Sequence, residues 1–220
     1  MKNRIQEAQA LCNGDIKFVI PSGDEKHLGG SITGYGIGDP ATYYPNMWTW
    51  AVGILDAKSV LDVGCGQGFS LEYFAKLGLR AKGIEGYEES IKNGRRPDLV
   101  TKHDYEKAPL TLDETFDMAW CCEFVEHIEE KCMDNFFATF KSAKTIFMTF
   151  ATPGQGGHHH VNEQPGEYWV DAFQKRGFTL NIDLTNCARI VAHADCKIFS
   201  PQFKSHFIDK GLVFTNNAFD

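Results

Sequence analysis

The chain has 220 residues, of which 43% are hydrophobic and 13% aromatic, and its formal net charge is −7. This is enough apolar sequence for one well-buried core, and the acidic balance argues against a broad nucleic-acid-binding face, although contact with a few phosphates stays open. No apolar run approaches the roughly 18 residues that span a bilayer, no signal-peptide pattern opens the chain, and seven cysteines without a C-x-x-C pair indicate reduced thiols in a cytoplasmic protein rather than a zinc finger.

The first 54 residues are predicted to form a segment that covers the cofactor and the substrate. Within them, GGSITGYGIGDPATYYPNMWTW holds five glycines and five aromatic residues. Glycine permits the tight backbone of a ligand-covering loop, and the aromatic rings either stack on a ligand or close the end of the core. We expect residues 55–220 to form the main domain, so that the chain is one globular unit.

From residue 59 onward, short apolar runs alternate with stretches of helical periodicity. Five strands are predicted, in the runs SVLDVG, RAKGIEG, DLVTKHD, TFDMAWCC and KTIFMTFATP. Amphipathic runs predict helices after the first, second, fourth and fifth of these strands. The sequence from Thr179 onward is strand-like and mixed. This alternation predicts an α/β fold, an open, doubly wound and mostly parallel sheet. Ligands bind such sheets beyond the carboxyl ends of the strands, so the residues after each strand are candidate site residues.

The first candidate is the glycine loop LDVGCGQG, in which Asp62 precedes Gly64, Cys65, Gly66 and Gly68. The third glycine comes one residue earlier than in the G-x-G-x-x-G fingerprint of NAD-binding folds, which makes NAD the weaker candidate cofactor. A carboxylate at this position would repel a pyrophosphate and attract the ammonium group of an amino-acid-like cofactor.

Further candidates follow at the ends of the next strands. Glu85, beside Gly86, ends the second strand about twenty residues beyond the loop, where an acid accepts hydrogen bonds from both ribose hydroxyls. Asp104, followed by Tyr105, ends the third strand and is placed to accept from the exocyclic amine of adenine. Cys121, at the end of the fourth strand, completes the candidate cofactor contacts.

These motifs resemble those of the class I S-adenosylmethionine-dependent methyltransferases. VLDVGCGQG looks like their first motif, GIEG their second, HDY their third and FDMAWCCEFVEHI their fourth, over roughly residues 55–180. The resemblance implies a Rossmann-like, seven-stranded, mostly parallel sheet with an antiparallel last strand. It also implies that S-adenosylmethionine is held at its methionine part by Asp62, Gly64 and Gly66, at its ribose by Glu85 and at its adenine by Asp104.

A second group of candidates follows the fourth strand in EFVEH. Glu123, Glu126 and His127 stand at i, i+3 and i+4, and so would share one face of a helix. The loop after the fifth strand, GHHHVNEQP, carries three histidines at 158–160 and can reach that face, because adjacent strand ends lie about 5 Å apart. The pattern resembles metal-dependent O-methyltransferases, such as the small-RNA 3′-end 2′-O-methyltransferases and, more loosely, the ubiquinone-pathway O-methyltransferases.

That resemblance implies a divalent-metal site for Mg, Mn or Zn, with Glu123, Glu126, His127 and one later histidine as ligands. The later histidine is His158 or His160, because His159 would point away if the segment is extended. We favour His160, because HVNEQPGEYW leads directly from it into the following helix at a fixed distance. With a metal bound, Glu126, His127 and His160 also serve catalysis, since the ion lowers the pKa of a hydroxyl and a histidine accepts its proton. A metal-free histidine base and a solvated histidine loop are the alternatives.

The predicted activity is methylation of a hydroxyl group on a small acceptor, such as a sugar, a glycan unit or a small metabolite. The fourth motif lacks the N/D-P-P-Y/F signature of enzymes that methylate base amines. An RNA 3′-end 2′-O-methyltransferase, a non-catalytic S-adenosylmethionine-binding regulator and a Rossmann-type oxidoreductase are the alternatives. We expect no membrane partner, and we expect His193 and His206 to be packing or surface residues.

Overall fold

The computed structural model describes residues 21–30, 40–199 and 206–219, and a seven-stranded sheet runs through this part of the chain. The strands lie in the order β3-β2-β1-β4-β5-β7-β6; the first five are parallel, and β7 is antiparallel to both β5 and β6. The predicted fold class is therefore confirmed, including the antiparallel last strand. The strands are β1 (Ser59–Val63), β2 (Arg80–Glu85), β3 (Val100–Lys102), β4 (Phe116–Cys121), β5 (Ala143–Met148), β6 (Phe178–Leu180) and β7 (Leu212–Asn216).

Helices cover both faces of the sheet, as expected for a doubly wound fold. The four predicted helices are α2 to α5, and each falls within its predicted run. The described residues contain no helix with both the length and the hydropathy needed to span a bilayer. The helices are α1 (Pro45–Ile54), α2 (Phe69–Lys76), α3 (Glu88–Lys92), α4 (Met133–Phe140), α5 (Gly166–Gln174), α6 (Ile182–Phe199) and α7 (His206–Lys210).

Two apolar layers hold the helices to the sheet. Along β4, Ala119 and Cys121 pack into one layer, whereas Met118 and Trp120 pack into the other, because successive side chains of a strand point to opposite faces. The first layer is built with phenylalanines of α4 and α5, and the second with α1, α6 and α7. The sheet is thus buried on both faces, and ligands can reach it only at its edges and ends.

The prediction for the segment after Thr179 was wrong in part: its two strands are present as β6 and β7, but a long helix lies between them. We expected it to be strand-like and mixed, yet α6 occupies 18 residues between β6 and the end of the second described range. Ala188 and Ala192, four positions apart, are fully buried against the second layer, whereas Ile190 is 70% exposed. Packing of these two alanines against the second layer outweighs the strand propensity of the β-branched residues around them.

A buried carboxylate joins α6 to α1. Asp195 of α6 accepts the backbone N–H groups of Asn46 at 2.9 Å and of Met47 at 3.0 Å. These amides lie in the first turn of α1, where a helix leaves N–H groups without an internal partner. The predicted covering segment therefore packs against the core through Met47, Trp48 and Ala51 of α1, while residues 1–20 and 31–39 lie outside the described residues.

Candidate active site

The carboxyl ends of five parallel strands bring the predicted site residues to one end of the sheet. In the order of the sheet, Asp104 follows β3, Glu85 ends β2, Asp62 lies near the end of β1, Glu126 follows β4 and His160 follows β5. Neighbouring strands lie about 4.8 Å apart. The side chains therefore form a row across the end of the sheet where doubly wound folds bind their ligands.

The loop between β1 and α2 owes its shape to three glycines. Gly64, Gly66 and Gly68 have φ angles of 74°, 52° and 72°, in the region that side chains other than glycine rarely adopt. A Cβ atom at Gly64 would lie 2.5 Å from Cδ2 of Phe124, so this loop can meet the loop after β4 only without a side chain. The missing side chain at Gly64 thus lets Phe124 pack directly against the glycine loop.

Glu85 ties this glycine loop to β2. Its carboxylate accepts the N–H of Gly66 at 2.9 Å and the N–H of Tyr87 at 2.8 Å. Burial raises the pKa of Glu85, and the bonds from these two amides oppose the rise. The carboxylate thus stands beside the loop, where the family resemblance places the ribose.

Asp62 is the acid that was assigned to the ammonium group of the cofactor. It is 2% exposed and accepts a hydrogen bond from Oγ of Ser70, in α2. Burial raises its pKa to about 7, and the charge of Glu85 adds to the rise while the bond from Ser70 opposes it. A carboxyl group that titrates near neutrality will ionise when a cationic group is placed beside it.

Three other predicted cofactor contacts have buried side chains. Tyr105 donates its phenolic hydrogen to Oγ1 of Thr139 at 2.9 Å, inside the first apolar layer. Cys65 and Cys121 are buried as well, and burial raises the pKa of both thiols. These side chains are buried near the carboxyl ends of the strands, and their contact with a cofactor stays a prediction.

Asp104, which was assigned to the adenine amine, already has several partners. Nε2 of His27 and Nζ of Lys107 each lie 3.1 Å from its carboxylate, and the N–H of Glu106 donates at 3.0 Å. Burial by itself would raise the pKa of Asp104, but the bonds from His27 and Lys107 outweigh it and hold the pKa below its usual value. An adenine amine would have to share this carboxylate with His27.

The described part of the N-terminal segment runs along this end of the sheet. A Cβ atom at Gly86 would lie 2.7 Å from Cδ2 of Leu28, and the carbonyl of Leu28 accepts from Nε2 of His158 at 2.9 Å. A Cβ atom at Gly30 would lie 3.1 Å from Cε1 of His127. The segment therefore contacts both the end of β2 and the histidine loop, and its role as a cover stays a prediction.

The structure does not put EFVEH on a regular helix. Residues Val125–His127 form a single 3-10 turn, and Glu123 precedes it with a φ of 52°. Thr149 sets this conformation, because its Oγ1 accepts the N–H of Glu123 at 2.7 Å. The carboxylate of Glu123 contacts the same hydroxyl at 2.9 Å and Nδ1 of His206 at 3.3 Å. The i, i+3, i+4 argument therefore does not apply to Glu123.

Glu126, His127 and His160 do come together. One potential ligand atom of each lies within 4.8 Å of those of the other two, and Glu123 is outside this group. The rings of His127 and His160 meet edge to face with centroids 4.9 Å apart. The backbone N–H groups of Val161 and Asn162 both donate to the carbonyl of Glu126, which joins the histidine loop to the 3-10 turn.

The electrostatics of this group fit a divalent cation. Glu126 is 0% exposed, and neither carboxylate oxygen has a hydrogen-bond partner among the described residues. Burial raises the pKa of Glu126 far above the usual range, and the charge of Glu123 adds to the rise. Burial and the nearby His160 lower the pKa of His127 to about 3, so its imidazole is neutral. Carboxylate oxygen and neutral imidazole nitrogen are common ligands of divalent metals.

A second buried polar group stands next to these ligands. The side chain of Asn162 is 2% exposed, and neither its nitrogen nor its oxygen has a partner among the described residues. Buried polar atoms are hydrogen-bonded in nearly all native proteins, so the side-chain atoms of Asn162, like those of Glu126, suit contact with a bound polar group.

The three consecutive histidines have three different neighbours. His158 binds the N-terminal segment through the carbonyl of Leu28. His159 has a φ of 49°, so the segment is not extended there, and its Nε2 lies 3.6 Å from Oε1 of Glu106. His160 belongs to the group with Glu126, and its Nδ1 lies 3.0 Å from Oε1 of Glu163.

The sequence analysis did not single out several residues that contact the site. Glu163 and Asn162 lie within three positions of His160, so a search around each predicted ligand would have found them. His27 and His206 have no such local signal, because tertiary folding alone brings them to the site. His206 was expected to be a packing or surface residue, and the structure pairs it with Glu123.

Comparison with known proteins agrees with the fold. Residues 61–145 match the family model described as a methyltransferase domain. Over 85 residues the chain is 36% identical to the ubiquinone biosynthesis O-methyltransferase of Bordetella bronchiseptica, a match that covers 36% of this chain and 35% of the relative. The matched region thus spans about a third of the length of this curated relative.

Solved structures extend the likeness to most of the chain. Magnesium protoporphyrin IX methyltransferase from Synechocystis PCC 6803, with bound SAM, has a TM-score of 0.51 and 16% identity over 77% of this chain and 70% of its own. The O-methyltransferase from a trans-AT PKS multienzyme of Brevibacillus brevis, in complex with S-adenosyl-L-homocysteine, has a TM-score of 0.53 and 14% identity over 80% and 72%. The fold is that of the class I, S-adenosylmethionine-dependent methyltransferases.

Proposed function

We propose that this chain, which has the class I methyltransferase fold, transfers a methyl group from S-adenosylmethionine to a hydroxyl group of a small acceptor with the help of a divalent cation. The observation that carries the proposal is the row of residues at the end of the sheet. Carboxylates follow β3, β2 and β1, and the group of Glu126, His127 and His160 follows β4 and β5. The reacting hydroxyl belongs between β1 and β4, where the two halves of the row meet.

The cofactor half of the row matches the parts of S-adenosylmethionine in order. A molecule that lies across three neighbouring strands must present its parts in the order of the sheet. We assign the methionine part to Asp62 and the glycine loop, the ribose to Glu85 and the adenine to the surroundings of Asp104. The raised pKa of Asp62 suits this role, because its carboxyl group gains its charge when the ammonium group arrives.

The other half of the row suits an oxygen nucleophile. A divalent cation, when bound, lowers the pKa of a hydroxyl group and orients it. Glu126 would contribute a carboxylate oxygen, and His127 and His160 one imidazole nitrogen each. In the transfer, the acceptor oxygen forms a bond to the methyl carbon, the bond from that carbon to sulfur breaks, and the hydroxyl proton leaves to a base or to water. Alignment of oxygen, carbon and sulfur contributes much of the acceleration.

The surroundings of the histidine loop favour a small acceptor without phosphate groups. An open depression of about 540 Å³ borders the loop and is lined by Glu129, Glu130, Lys131 and Val161. Its two carboxylates outnumber its one cation, Lys131, which pairs with Glu129, so the lining disfavours a phosphate backbone. The match to a relative named for O-methylation supports oxygen as the methylated atom.

A methyl-transfer assay on the purified full chain tests the proposal. S-adenosylmethionine with a labelled methyl group is incubated with catechol-type diols, sugars and RNA oligonucleotides that have a free 3′ end, with and without a chelator. We expect label to enter small hydroxyl compounds, to be lost after chelation and to return when Mn²⁺ or Mg²⁺ is added. Glu126→Gln should abolish the transfer, whereas Glu167→Gln, an exposed change of the same charge, should keep it.

The alternative functions give different results in the same assay. Full activity of metal-stripped protein and of Glu126→Gln would reject the role of the cation. Label in RNA and in no small acceptor would establish the RNA 3′-end activity instead. Binding of S-adenosylhomocysteine by calorimetry without transfer to any acceptor would support a regulatory protein, and no binding at all would overturn the cofactor assignment.

A further inference from the structure

We propose that Glu163 is a positioning residue that holds His160 in one neutral tautomer, with the proton on Nδ1 and the lone pair on Nε2. What His160 then does, as a metal ligand or as a base, rests on the proposed function. The tautomer itself does not, and it can be measured in the protein without cofactor, cation or acceptor.

Three donors converge on the carboxylate of Glu163. Oε1 lies 3.0 Å from Nδ1 of His160 and accepts the N–H of Gly156 at 2.6 Å, and Oε2 accepts the N–H of Gly154 at 2.7 Å. The two glycines have φ angles of 69° and 82°, a backbone conformation that turns both amides toward one point. Backbone N–H groups arranged in this way form an anion-binding concavity, and here the anion is a side chain of the same loop.

This arrangement dictates where the proton of His160 resides. An ionised carboxylate can only accept hydrogen bonds, so the nitrogen that faces Glu163 must carry a hydrogen. A neutral imidazole that is protonated on Nδ1 has its lone pair on Nε2. Nε2 is thereby the nitrogen of His160 that is left to bind a metal or to accept a proton.

A separate feature of the loop lets the other edge of the ring lie close to the backbone. Residue 157 is glycine, with a φ of 153°, and a Cβ atom there would lie 2.3 Å from Nε2 of His160. Any other residue would push the ring out of its place. The loop therefore has a carboxylate on one edge of the imidazole and a residue without a side chain against the other.

The neighbouring histidines lack this combination. Nε2 of His158 is engaged by the carbonyl of Leu28, and Nε2 of His159 lies beside Oε1 of Glu106. Hydrogen-bonded carboxylates behind a histidine orient the ring and raise its basicity, and their loss typically lowers metal affinity 10–100-fold. The pairing with Glu163 thus explains why His160, of the three, is the one suited to the group with Glu126.

The first test measures the tautomer by NMR on metal-free, full-length protein that is labelled with ¹⁵N at histidine. His160 is assigned from the signal that disappears in His160→Gln. We expect its Nδ1 to be protonated in the wild type and in Glu167→Gln, an exposed change of the same charge, and we expect Nε2 protonation to appear in Glu163→Gln. An unchanged tautomer in Glu163→Gln would overturn the proposal.

The second test measures what the tautomer does for the site. In Glu163→Gln we expect the affinity for Mn²⁺ to fall about 10–100-fold, while the affinity for S-adenosylhomocysteine and the KM for S-adenosylmethionine stay at the wild-type level. An equal loss in Glu167→Gln would show a general charge effect and would count against the proposal.

A further variant keeps the test decisive if Glu163→Gln does not fold. Glu163→Asp retains the charge, so the two glycine amides keep an acceptor, but it withdraws the carboxylate from the ring by one methylene. We expect a folded protein with a mixture of the two tautomers, and a pure Nδ1 tautomer would contradict the role of Glu163. If the wild type binds no Mn²⁺, the proposed function fails on its own, while the NMR comparison still decides the role of Glu163.

Discussion

His27 and Asp104 are hydrogen-bonded across 77 positions of sequence, with Nε2 of His27 3.1 Å from one carboxylate oxygen and 3.2 Å from the other. The pair fastens the described part of the N-terminal segment to the loop after β3. The adjacent Leu28 binds the histidine loop through His158. One short segment therefore connects the side of the sheet assigned to adenine with the side assigned to the cation.

We expect His27→Ala to release the cofactor product faster. The lost hydrogen bond to a charged, partly buried group is worth about 1.5–3 kcal/mol, and a share of that free energy holds the segment closed. The dissociation rate of S-adenosylhomocysteine should rise about tenfold, which corresponds to about 1.4 kcal/mol, in stopped-flow tryptophan fluorescence. His193→Ala, an exposed change on α6, is the matched control. Equal dissociation rates in His27→Ala, His193→Ala and the wild type would show that the N-terminal segment does not control release of the cofactor product.

Asp62 should make the cofactor-free protein less stable as the pH rises from about 4 to about 7. Its pKa is about 7 in the folded state and 3.8 ordinarily, so over this range the folded state holds a proton that the unfolded state has lost. Stability falls with pH wherever the folded state binds more protons, here by up to about 4 kcal/mol. In urea unfolding at several pH values, the free energy of unfolding of Asp62→Asn should lack the part of the pH-dependent fall that Asp62 causes. Parallel profiles for the two proteins would contradict the assignment.

The same group should link cofactor binding to proton release. The ammonium group of S-adenosylhomocysteine favours the ionised carboxylate of Asp62, so binding near pH 6 should expel a proton, and affinity should rise as the pH increases toward 8. Calorimetry in buffers of different ionisation enthalpy measures the number of protons released. We expect a value near zero for Asp62→Asn, and release that persists in this variant would assign the proton to another group.

Glu126→Gln should have opposite effects with and without a cation. In metal-free protein at pH 8, removal of the unpartnered buried carboxylate should raise stability by about 1 kcal/mol. With Mn²⁺ at about 100 times its Kd, the wild type should gain about 2.7 kcal/mol, and the variant should gain nothing. Because Glu123 lies outside the group, Glu123→Gln should keep most of this gain. If Mn²⁺ did not stabilise Glu123→Gln, Glu123 would have to be a ligand of the cation.

Gly64→Ala should cost more than backbone strain alone. Gly78 has a φ of 85° and open space around its Cα, whereas a side chain at Gly64 would enter the ring of Phe124. Gly78→Ala should therefore lose only the strain of a left-handed residue, about 1–3 kcal/mol. Gly64→Ala should be less stable than that and should also lose binding of S-adenosylhomocysteine. Equal stability of the two variants by urea unfolding would show that the contact with Phe124 is not tight.

Much of the fold followed from local sequence. The strands β1, β4 and β5 are short, mainly apolar runs. The turn after β1 needs glycine for its positive φ angles, and both properties reside in neighbouring residues. The helix α6 escaped prediction because its stability comes from Ala188 and Ala192, which pack against elements that are far away in sequence.

The amino-acid sequence by itself determined which residues stand at the ends of the strands, because side-chain type and strand position are encoded locally. These residues form the candidate row, which includes Asp62, Glu85, the EFVEH turn and the histidine loop. Tertiary structure alone decided which of these side chains meet. Thr149 holds Glu123 outside the group of Glu126, His127 and His160, and His27 contacts Asp104. Such contacts depend on backbone angles and packing between segments distant in the chain, and no pattern of neighbouring residues records them.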